Sequence, residues 1–480
     1  MKNVLDRSQN RVVIIGAGPG GYEAALIAAQ LGADVMLIER NRCGGSAVLT
    51  DVVPSKSLIA TAEVMGQSNR GGDFGLCASA EELPAGGSEG PGPVSADLSA
   101  INRRILGLAD AQATDIHDGL VRAGVKVIGG SARIVGRGRV AVTETTGAEY
   151  ELEADTILVS VGAHPRELPT ALPDGERILT WTQLYGLEEM PEHLVVVGSG
   201  VTGAEFASAY NELGCRVTLV SSRDRVLPGE DEDAAEVLEN VFRSRGMNVL
   251  SRSRADSVVR DEETGGVVVT LADGRIVKAS HCLMAVGSVP NTDEVGLDTV
   301  GILRTESGHI QVDGVSRTSS PGIYAAGDCT NVMPLASVAA MQGRIAMFHA
   351  LGDAVVPLRL RNVASNVFTQ PEIATVGFTQ SDYRNDAHDI ETVTQPLHTN
   401  ARAKMLGIEE GFVKIFCRRG SGSVMGGVVV GPRASDLILP ITMAVENRLT
   451  VDQLASTFVV YPSLSGSVTE AARKLHHHQA

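Results

Sequence analysis

Residues 11–40 read RVVIIGAGPGGYEAALIAAQLGADVMLIER and predict a β-strand, a helix and a second β-strand. Val12 to Ile15 form the continuous apolar run that a buried parallel strand requires. The helix that comes after the glycines is predicted to stop at Gly32, and the second strand at Glu39. This order is typical of a dinucleotide-binding unit, and the alternative is an ordinary βαβ turn.

Three glycines between the first strand and the helix form the pattern GxGxxG. Gly16 allows the tight turn, Gly18 lets a pyrophosphate approach the backbone, and Gly21 lets helix and strand pack closely. The start of the helix offers unpaired N–H groups and the positive end of its dipole to the phosphates. Glu39, 18 residues after Gly21, is placed to accept hydrogen bonds from the hydroxyls of a ribose.

A second copy of this pattern occupies residues 194–222, LVVVGSGVTGAEFASAYNELGCRVTLVSS. Gly198, Gly200 and Gly203 take the same three roles. Two such units predict two dinucleotides held face to face, which is what hydride transfer between a nicotinamide and a flavin needs. The alternative is a second βαβ unit with a purely structural role.

The two copies differ at the end of their second strand. Ser221 stands 18 residues after Gly203, where the first copy has Glu39, and it opens the run SSRDR, 221–225. A carboxylate would repel a 2′-phosphate, whereas hydroxyl and guanidinium groups suit one. The run therefore favours NADPH over NADH. If Arg223 and Arg225 only form a solvated loop, both nucleotides remain usable.

The composition narrows the class of protein. A chain of 480 residues predicts about three domains. Its formal charge of −16 argues against nucleic acid or an anionic membrane as the main partner. No apolar run is long enough to span a membrane, and the first residues, MKNVLDRSQN, lack a signal-peptide core. The six cysteines are dispersed, with no metal-ligand spacing, so we expect no metal site and a reduced, cytoplasmic setting.

Between and after the two copies, the sequence pattern is less regular. A helix is predicted from Ala47 until Pro54, followed by a helical run that holds Lys56. Residues 66–97 are rich in Gly, Ser and Pro and predict a mobile surface insertion, and 98–123 predict a long amphipathic helix. From about residue 362, antiparallel strands and helices at 379–385 and 433–447 predict an α+β domain. The final HHH, 476–478, is interpreted as a solvated tail.

These motifs together resemble the flavoprotein disulfide reductases, the family of dihydrolipoamide dehydrogenase and glutathione reductase. The matching stretches are GAGPGG with Glu39, GGS at 44–46, PSK at 54–56, GSGVTGAE at 198–205, VGSVPNT at 286–292, AAGD at 325–328 and FTQPEIATVG at 368–377. The resemblance implies an α/β fold with two Rossmann-like dinucleotide-binding domains and a C-terminal α+β dimerisation domain. It implies FAD at residues 1–163 and 291–361, NADPH or NADH at 164–290, and a homodimer interface at 362–480.

The resemblance also implies the site residues. The FAD contacts are expected from Gly16, Gly18, Gly20, Gly21, Glu39, Arg40, Ser46, Lys56, Gly162, Asp328 and Ala336. The nicotinamide nucleotide is expected to meet Gly198, Gly200, Val201, Glu205, Ser222, Arg223 and Gly287. Lys56 and Glu205 align with a pair that in the family sits beside the flavin N5 and the nicotinamide, and we predict a catalytic role for both.

The chain departs from the family where the family exchanges thiols. The family pattern T-C-x-N-x-G-C-x-P is replaced by residues 46–54, SAVLTDVVP, so Ala47 and Val52 stand at the two cysteine positions. The His-Pro near the C-terminus is replaced by Tyr461-Pro462, and the Glu that comes after it by Gly466. Neither a phenol nor a glycine titrates near neutral pH. The disulfide and the base that serves it are lost together, while the nucleotide motifs are intact.

This combination predicts a flavoenzyme that passes electrons from NAD(P)H through FAD directly to a quinone or similar small acceptor. It resembles a cysteine-less branch of the family that is associated with quinone reduction. Tyr461, arriving from the other subunit, would be an aromatic wall or a phenol donor to a quinone oxygen, or it would simply pack. The alternatives are a soluble pyridine nucleotide transhydrogenase, a non-catalytic flavin-binding subunit, and a dihydrolipoamide dehydrogenase that performs thiol chemistry.

Overall fold

The computed structural model describes residues 10–76, 94–385 and 389–476. The polar segment at the start of the chain, most of the predicted insertion at 66–97 and the last two histidines of the tail lie outside these residues. Of the insertion, residues 66–69 complete a helix and Gly71–Phe74 form a 3₁₀ turn.

The described strands are named in chain order. They are β1 Arg11–Ile15, β2 Asp34–Glu39, β3 Lys126–Gly136, β4 Arg139–Glu144, β5 Glu149–Glu153, β6 Thr156–Val159, β7 Ala163–Pro165, β8 Ile178–Thr180, β9 His193–Val197, β10 Arg216–Val220, β11 Asn248–Leu250, β12 Ala255–Arg260, β13 Val267–Leu271, β14 Ile276–Ala279, β15 His281–Met284, β16 Ser288–Pro290, β17 Ile323–Ala325, β18 Ser365–Val367, β19 Glu372–Gly377, β20 Ile390–Pro396, β21 Phe412–Arg418 and β22 Val424–Gly431.

The described α-helices are named in the same way. They are α1 Pro19–Gln30, α2 Gly45–Leu49, α3 Val52–Asn69, α4 Leu98–Arg122, α5 Val201–Glu212, α6 Glu232–Ser244, α7 Ala336–Ala350, α8 Gln380–Asn385, α9 Ala401–Met405, α10 Ala434–Leu437, α11 Leu439–Asn447, α12 Val451–Ala455 and α13 Gly466–Lys474. Further 3₁₀ turns lie at Leu184–Gly186, Leu297–Val300, Asp328–Thr330, Leu360–Asn362 and Leu397–Thr399. None of the described helices is both long and apolar enough to cross a membrane.

The chain forms two compact units, and the first comprises the described residues among 1–55, 102–166 and 287–360. Its seven-stranded sheet has the order β17-β6-β1-β2-β3-β4-β5, with β1 parallel to both β2 and β6. Val12 and Ile14 pack into one core cluster with helix α1, while Val13 and Ile15 pack into another on the opposite face. A strand buried on both faces explains why this segment is a continuous apolar run.

The second unit comprises the described residues among 56–101, 167–286 and 361–480. It contains a five-stranded parallel sheet in the order β11-β10-β9-β15-β8 and a small antiparallel sheet of β12, β13 and β14. Its other large sheet is antiparallel, in the order β18-β19-β22-β21-β20, and carries its own apolar core. The predicted α/β class with two nucleotide-binding units and a C-terminal α+β region is confirmed; the division into three domains stays a prediction.

One local prediction is wrong, and several short elements have no counterpart in the sequence-based prediction. The predicted helix from Ala47 to Pro54 is interrupted after Leu49, and Pro54 lies in the first turn of α3. A proline is tolerated there because the first N–H groups of a helix have no partner within it. The C-terminal region also contains one strand and three short helices that the sequence pattern does not reveal: β20, α9, α12 and α13. Helices of five residues, such as α9 and α12, are too short to show a helical period.

Candidate active site

The first glycine turn connects β1 to α1 and leaves its outer side open. Gly16 has a φ of +98°, and a Cβ on it would overlap the carbonyl oxygen of Ser160. A Cβ on Gly21 would overlap the carbonyl oxygen of Gly16. A Cβ on Gly18 would meet nothing within 4 Å, and no side chain caps the helix that this residue precedes. The turn therefore presents bare backbone and a helix N-terminus, which suits a pyrophosphate.

Glu39 lies at the carboxyl end of β2, beside this turn. Its carboxylate accepts hydrogen bonds from the backbone N–H groups of Ala17, at 2.7 Å, and Asn41, at 2.8 Å. A cavity of about 370 Å³ opens next to it and is lined by Glu39, Asn41, Arg42, Cys43, Ala113, Thr114, His117, Val127 and Gly129. Polar groups around Glu39, together with the apolar side chains of Ala113 and Val127, fit the ribose and adenine of a dinucleotide, so these residues suit FAD.

Asp328 is the second acid of this unit that the sequence motifs indicate. The preceding Gly327 has a φ of +85° and donates its N–H to the buried Gln342, at 2.9 Å. Among the described residues no hydrogen bond reaches the Asp328 carboxylate, and burial raises its pKa. A half-buried carboxylate with no partner among the described residues suits a ligand hydroxyl, and α7 begins at Ala336 shortly after it.

Of the other predicted FAD contacts of this unit, three are accessible and one is closed in. Arg40 and Ser46 lie on the surface. Gly162 has a φ of +65° with open space around its Cβ position. Gly20 is closed in, because a Cβ there would lie 2.8 Å from the Ser160 hydroxyl and 2.9 Å from Ala326. Gly20 thus serves close packing, while Arg40, Ser46 and Gly162 are free to meet a ligand.

The second glycine turn, between β9 and α5, repeats the first. Gly198 has a φ of +114°, and a Cβ on it would overlap the carbonyl oxygen of Ala285. A Cβ on Gly203 would overlap Gly198, whereas one on Gly200 would meet nothing within 4 Å. Val201, at the start of α5, is exposed, and Gly287 has a φ of +94° with open space around its Cβ position. The two glycine turns therefore have the same backbone conformation.

Ser221 is the first residue after β10, and its contacts show whether its hydroxyl is available to a ligand. Ser221 is fully buried, and its hydroxyl lies 2.7 Å from that of Ser199 and accepts the N–H of Arg223 at 3.1 Å. It shapes the turn and does not face a ligand, which corrects the expectation that its hydroxyl contacts a phosphate. Residues 222–226, which we call the arch, then leave the strand, and Ser222 and Arg223 are exposed on it.

Arg225 is not a free cation, contrary to the sequence-based expectation. Its Nη2 donates to Oε1 of Glu232 at 2.6 Å. Arg384 donates to both oxygens of the same carboxylate, to Oε1 at 3.0 Å. These two arginines, Arg384 more than Arg225, lower the pKa of Glu232 to about 2. Of the two arginines that the sequence offers to a 2′-phosphate, only Arg223 is unengaged among the described residues.

The predicted pair of Lys56 and Glu205 is brought together in the second unit. Lys56 Nζ donates to Glu205 Oε2 at 2.7 Å, and the Glu205 side chain is only 3% exposed. Oε1 of Glu205 accepts the backbone N–H of Phe368 at 2.9 Å. The Phe368 ring lies under the ammonium, with Nζ 5.1 Å from its centroid. Glu205 is thus fixed at both oxygens, and it holds Lys56 in one place.

The thiol positions of the family carry no sulfur here. Ala47 lies in α2 and Val52 begins α3, and both side chains are half-buried. The five described cysteines are all free and buried. Burial raises the pKa of every one of them: to about 11 for Cys43 and Cys417, to about 12 for Cys215 and Cys329, and above its ordinary value for Cys282. None of these thiols has the exposed thiolate that disulfide exchange requires.

Tyr461 stands on an exposed apolar segment before α13. Its side chain is 85% exposed, that of Phe458 is fully exposed, and Val460 is also largely exposed. Such a segment on one chain suits burial against a second copy. The tail is less free than expected, because His476 Nδ1 lies 2.5 Å from Asp452 Oδ1. No group of metal-ligating side chains occurs in the described part of the chain.

Sequence reasoning misses three residues that organise these sites. Phe368 lies within the matching stretch 368–377, but a backbone N–H and a ring face carry no signature of their role. Ser199 and Gln342 look like ordinary positions of a turn and a helix. Their partners, Ser221 and Gly327, lie 22 and 15 residues away along the chain, so only the fold brings each pair together.

The chain is similar in sequence and in structure to known proteins of one family. Residues 10–343 match the pyridine nucleotide-disulphide oxidoreductase family, and residues 363–472 match its dimerisation domain. An NAD(P)H dehydrogenase (quinone) of Mycobacterium tuberculosis is 53% identical over 478 residues, covering 98% of this chain and 94% of that protein. A dihydrolipoyl dehydrogenase of Zymomonas mobilis is 32% identical, covering 96% of each chain. The crystal structure of LpdA from Mycobacterium tuberculosis, 52% identical, covers 98% of this chain and 100% of its own, with a TM-score of 0.91.

Proposed function

The chain belongs to the pyridine nucleotide-disulphide oxidoreductase family and is a flavoprotein oxidoreductase that uses FAD and NAD(P)H; we propose that it reduces a quinone or similar flat acceptor without a redox disulfide. The overall reaction would be NAD(P)H + H⁺ + quinone giving NAD(P)⁺ and hydroquinone. The observation that carries the proposal is that the two family thiol positions hold Ala47 and Val52, while every described thiol is buried with a raised pKa.

Bound FAD supplies the redox chemistry, because a reduced flavin can transfer electrons to a quinone without a protein nucleophile. The chain supplies binding and orientation. The open glycine turns at Gly18 and Gly200 are proposed to hold the two pyrophosphates, and Glu39 and Asp328 the sugar hydroxyls of FAD. Lys56, fixed by Glu205, is proposed to keep a positive charge where reduction adds negative charge.

The acceptor side is proposed to combine residues of two copies. The match of residues 363–472 to a dimerisation domain supports a homodimer. Tyr461 is exposed on an apolar segment of this region and would complete the site of the partner copy. Ala47 and Val52 would then offer an apolar surface to a planar acceptor. We also propose the three-domain division at residues 163/164, 290/291 and 361/362, with the FAD-binding domain assembled from two segments.

Rapid mixing under anaerobic conditions tests the proposal. The FAD-loaded protein is reduced with one equivalent of NADPH or NADH and then mixed with menadione, benzoquinone, lipoamide or oxidised glutathione. We expect fast flavin reoxidation by the quinones and none above background by the disulfides. Appreciable lipoamide turnover, as expected of a dihydrolipoyl dehydrogenase, would overturn the proposal.

The same experiment separates the remaining alternatives. A transhydrogenase would pass the hydride from NADPH to an NAD⁺ analogue without added quinone, and a non-catalytic subunit would show flavin that NAD(P)H reduces too slowly for turnover. Restoring Cys at positions 47 and 52 is a useful variant, A47C/V52C. We expect it to gain no lipoamide activity, because Tyr461 and Gly466 still replace the acid–base pair.

A further inference from the structure

The arch, residues 222–226, is anchored at both ends to one residue of the second glycine turn. The hydroxyl of Ser221 lies 2.7 Å from that of Ser199, and the N–H of Leu227 donates to the carbonyl oxygen of Ser199 at 2.9 Å. Leu227 has a φ of +51°, which turns the chain back at this point. The arch therefore stands at the end of β10, beside the glycine turn, where the ribose 2′ position of a bound nucleotide belongs.

Arg225 lies on the returning limb of this arch, and its side chain is 38% exposed. Among the described residues it is paired with one carboxylate, that of Glu232 in the first turn of α6. Arg384 occupies both oxygens of the same carboxylate, so Oε1 is shared between two guanidinium groups. If Arg225 turned to another anion, Glu232 would still be paired and would not be left as an unsatisfied charge.

We propose that Glu232 sets the preference between NADPH and NADH by competing with the 2′-phosphate for Arg225, while Arg384 weakens the hold of Glu232 on Arg225. This rests on the proposed NAD(P)H site at the second glycine turn. A phosphate offers Arg225 a bidentate, doubly charged partner. Arg223, exposed and unpaired among the described residues, is a constant contact of the 2′-phosphate that solvent screens, and Arg225, which is less exposed, is the conditional and stronger ligand.

The arrangement gives each of the three residues a distinct effect. Removing the charge of Glu232 frees Arg225 and should strengthen binding of a 2′-phosphate. Removing Arg225 should weaken it. Removing Arg384 strengthens the hold of Glu232 on Arg225 and should therefore also weaken binding of a 2′-phosphate. This effect should occur only while Glu232 is present. Simple loss of a nearby charge would also give effects of opposite sign. The deciding result is therefore that the effect of removing Arg384 depends on Glu232.

Isothermal titration of the FAD-loaded protein with 2′,5′-ADP and with 5′-AMP measures this directly, because the two probes differ by the 2′-phosphate. For E232Q we expect 2′,5′-ADP affinity to rise about three- to tenfold, and for R225Q and R384Q to fall by a similar factor. 5′-AMP affinity should stay constant in all three. R384Q in the E232Q background should have no further effect. R252Q is the matched control, since it removes an exposed ion pair of the arch, that of Arg252 with Asp224 at 2.8 Å, and leaves Arg225, Glu232 and Arg384 in place.

Unchanged discrimination between the two probes in both E232Q and R225Q would overturn the inference, as would a fall in E232Q. Retained FAD and an unchanged melting temperature show that each variant is folded. The ratio of kcat/KM for NADPH to that for NADH, with menadione as acceptor, should shift in the same directions. If no variant reduces quinone but the 2′,5′-ADP pattern holds, the proposed function fails and this inference stands.

Discussion

The two glycine turns of this chain share a backbone conformation and differ at the end of the strand after it. In each turn, a Cβ on the first glycine would overlap a carbonyl oxygen, and a Cβ on the third would prevent the close packing of the helix. A Cβ on the second, Gly18 or Gly200, would meet nothing within 4 Å. At the end of the next strand the first copy places Glu39, whose carboxylate is beside a cavity. The second places Ser221, which is buried, so we propose that recognition of the nucleotide lies on the arch. In this proposal the turn suits any dinucleotide, and the residues after the second strand distinguish one dinucleotide from another.

The largest effect is expected from the open glycines, G18A and G200A. Neither Cβ would meet protein within 4 Å, so both variants should fold normally. Each Cβ would instead occupy the approach of a pyrophosphate, at a cost of about 1–3 kcal/mol. We expect G18A to lose FAD about 10- to 100-fold more readily, and G200A to keep FAD but bind NADPH that much more weakly.

Flavin content after gel filtration and titration with NADPH measure the two losses. The control is stability, followed by circular dichroism. If G200A lost FAD, or G18A kept it at full affinity, the assignment of one turn to each cofactor would be wrong.

The second prediction concerns acid stability. Of the mixed sheet that holds β1 and the parallel sheet that holds β9, only the parallel sheet carries buried histidines among its described residues. His281, on β15, lies 2.9 Å from Arg177; burial, and then this cation, lowers its pKa from 6.5 to about 4. The pKa of His193, on β9, is lowered by burial and by Arg216. The folded state therefore binds fewer protons than the unfolded state below about pH 6.5. Stability is full above that pH and is lost as the pH falls toward 4.

At pH 5, the His281 shift alone corresponds to about 2 kcal/mol of lost free energy of unfolding. We expect H281Q to reduce the slope of stability against pH between 6.5 and 5, measured by urea unfolding. Hydrogen exchange should place the acid-sensitive opening in the strands around β15 and β9. An H281Q slope equal to that of the unaltered protein would contradict this.

Glu39 and Ser221 stand at equivalent positions of the two copies, so substitutions at these two positions can be compared directly. E39Q replaces an acceptor of two backbone N–H groups by an amide that can accept only on one oxygen. We expect a cost of about 1–2 kcal/mol, seen as about tenfold weaker FAD retention. S221A, which removes the hydroxyl contact with Ser199 and the local bonds within the turn, should leave FAD retention unchanged. Equal FAD loss in both variants would mean that Glu39 acts through general stability.

The smallest effect is expected at the exposed end of the arch. R223A removes a solvent-exposed cation and should weaken NADPH by about threefold to fivefold, with NADH unaffected. The measurement is kcat/KM for each nucleotide at low salt, where surface charges are least screened. An equal loss for both nucleotides would show that Arg223 does not read the 2′-phosphate.

The sequence is sufficient wherever a role depends on backbone conformation or on a continuous apolar run. Both glycine turns and the parallel strands beside them can be predicted from spacing, and the Lys56–Glu205 pair from the family motifs. The sequence is insufficient where a side chain has a choice of partner. Arg225 and Ser221 look like phosphate ligands in the sequence, and the fold gives them Glu232 and Ser199 instead. Those partners lie seven and 22 residues away, at distances that no local pattern encodes.

The central claim is that no thiol pair exchanges electrons with the flavin. Anaerobic reductive titration of the FAD-loaded protein counts the electrons taken up per flavin. Sodium dithionite and NADPH are used in separate titrations. FAD accepts two electrons and a redox disulfide accepts two more. The account predicts full reduction at two electrons per FAD, and uptake of four electrons per FAD would contradict it.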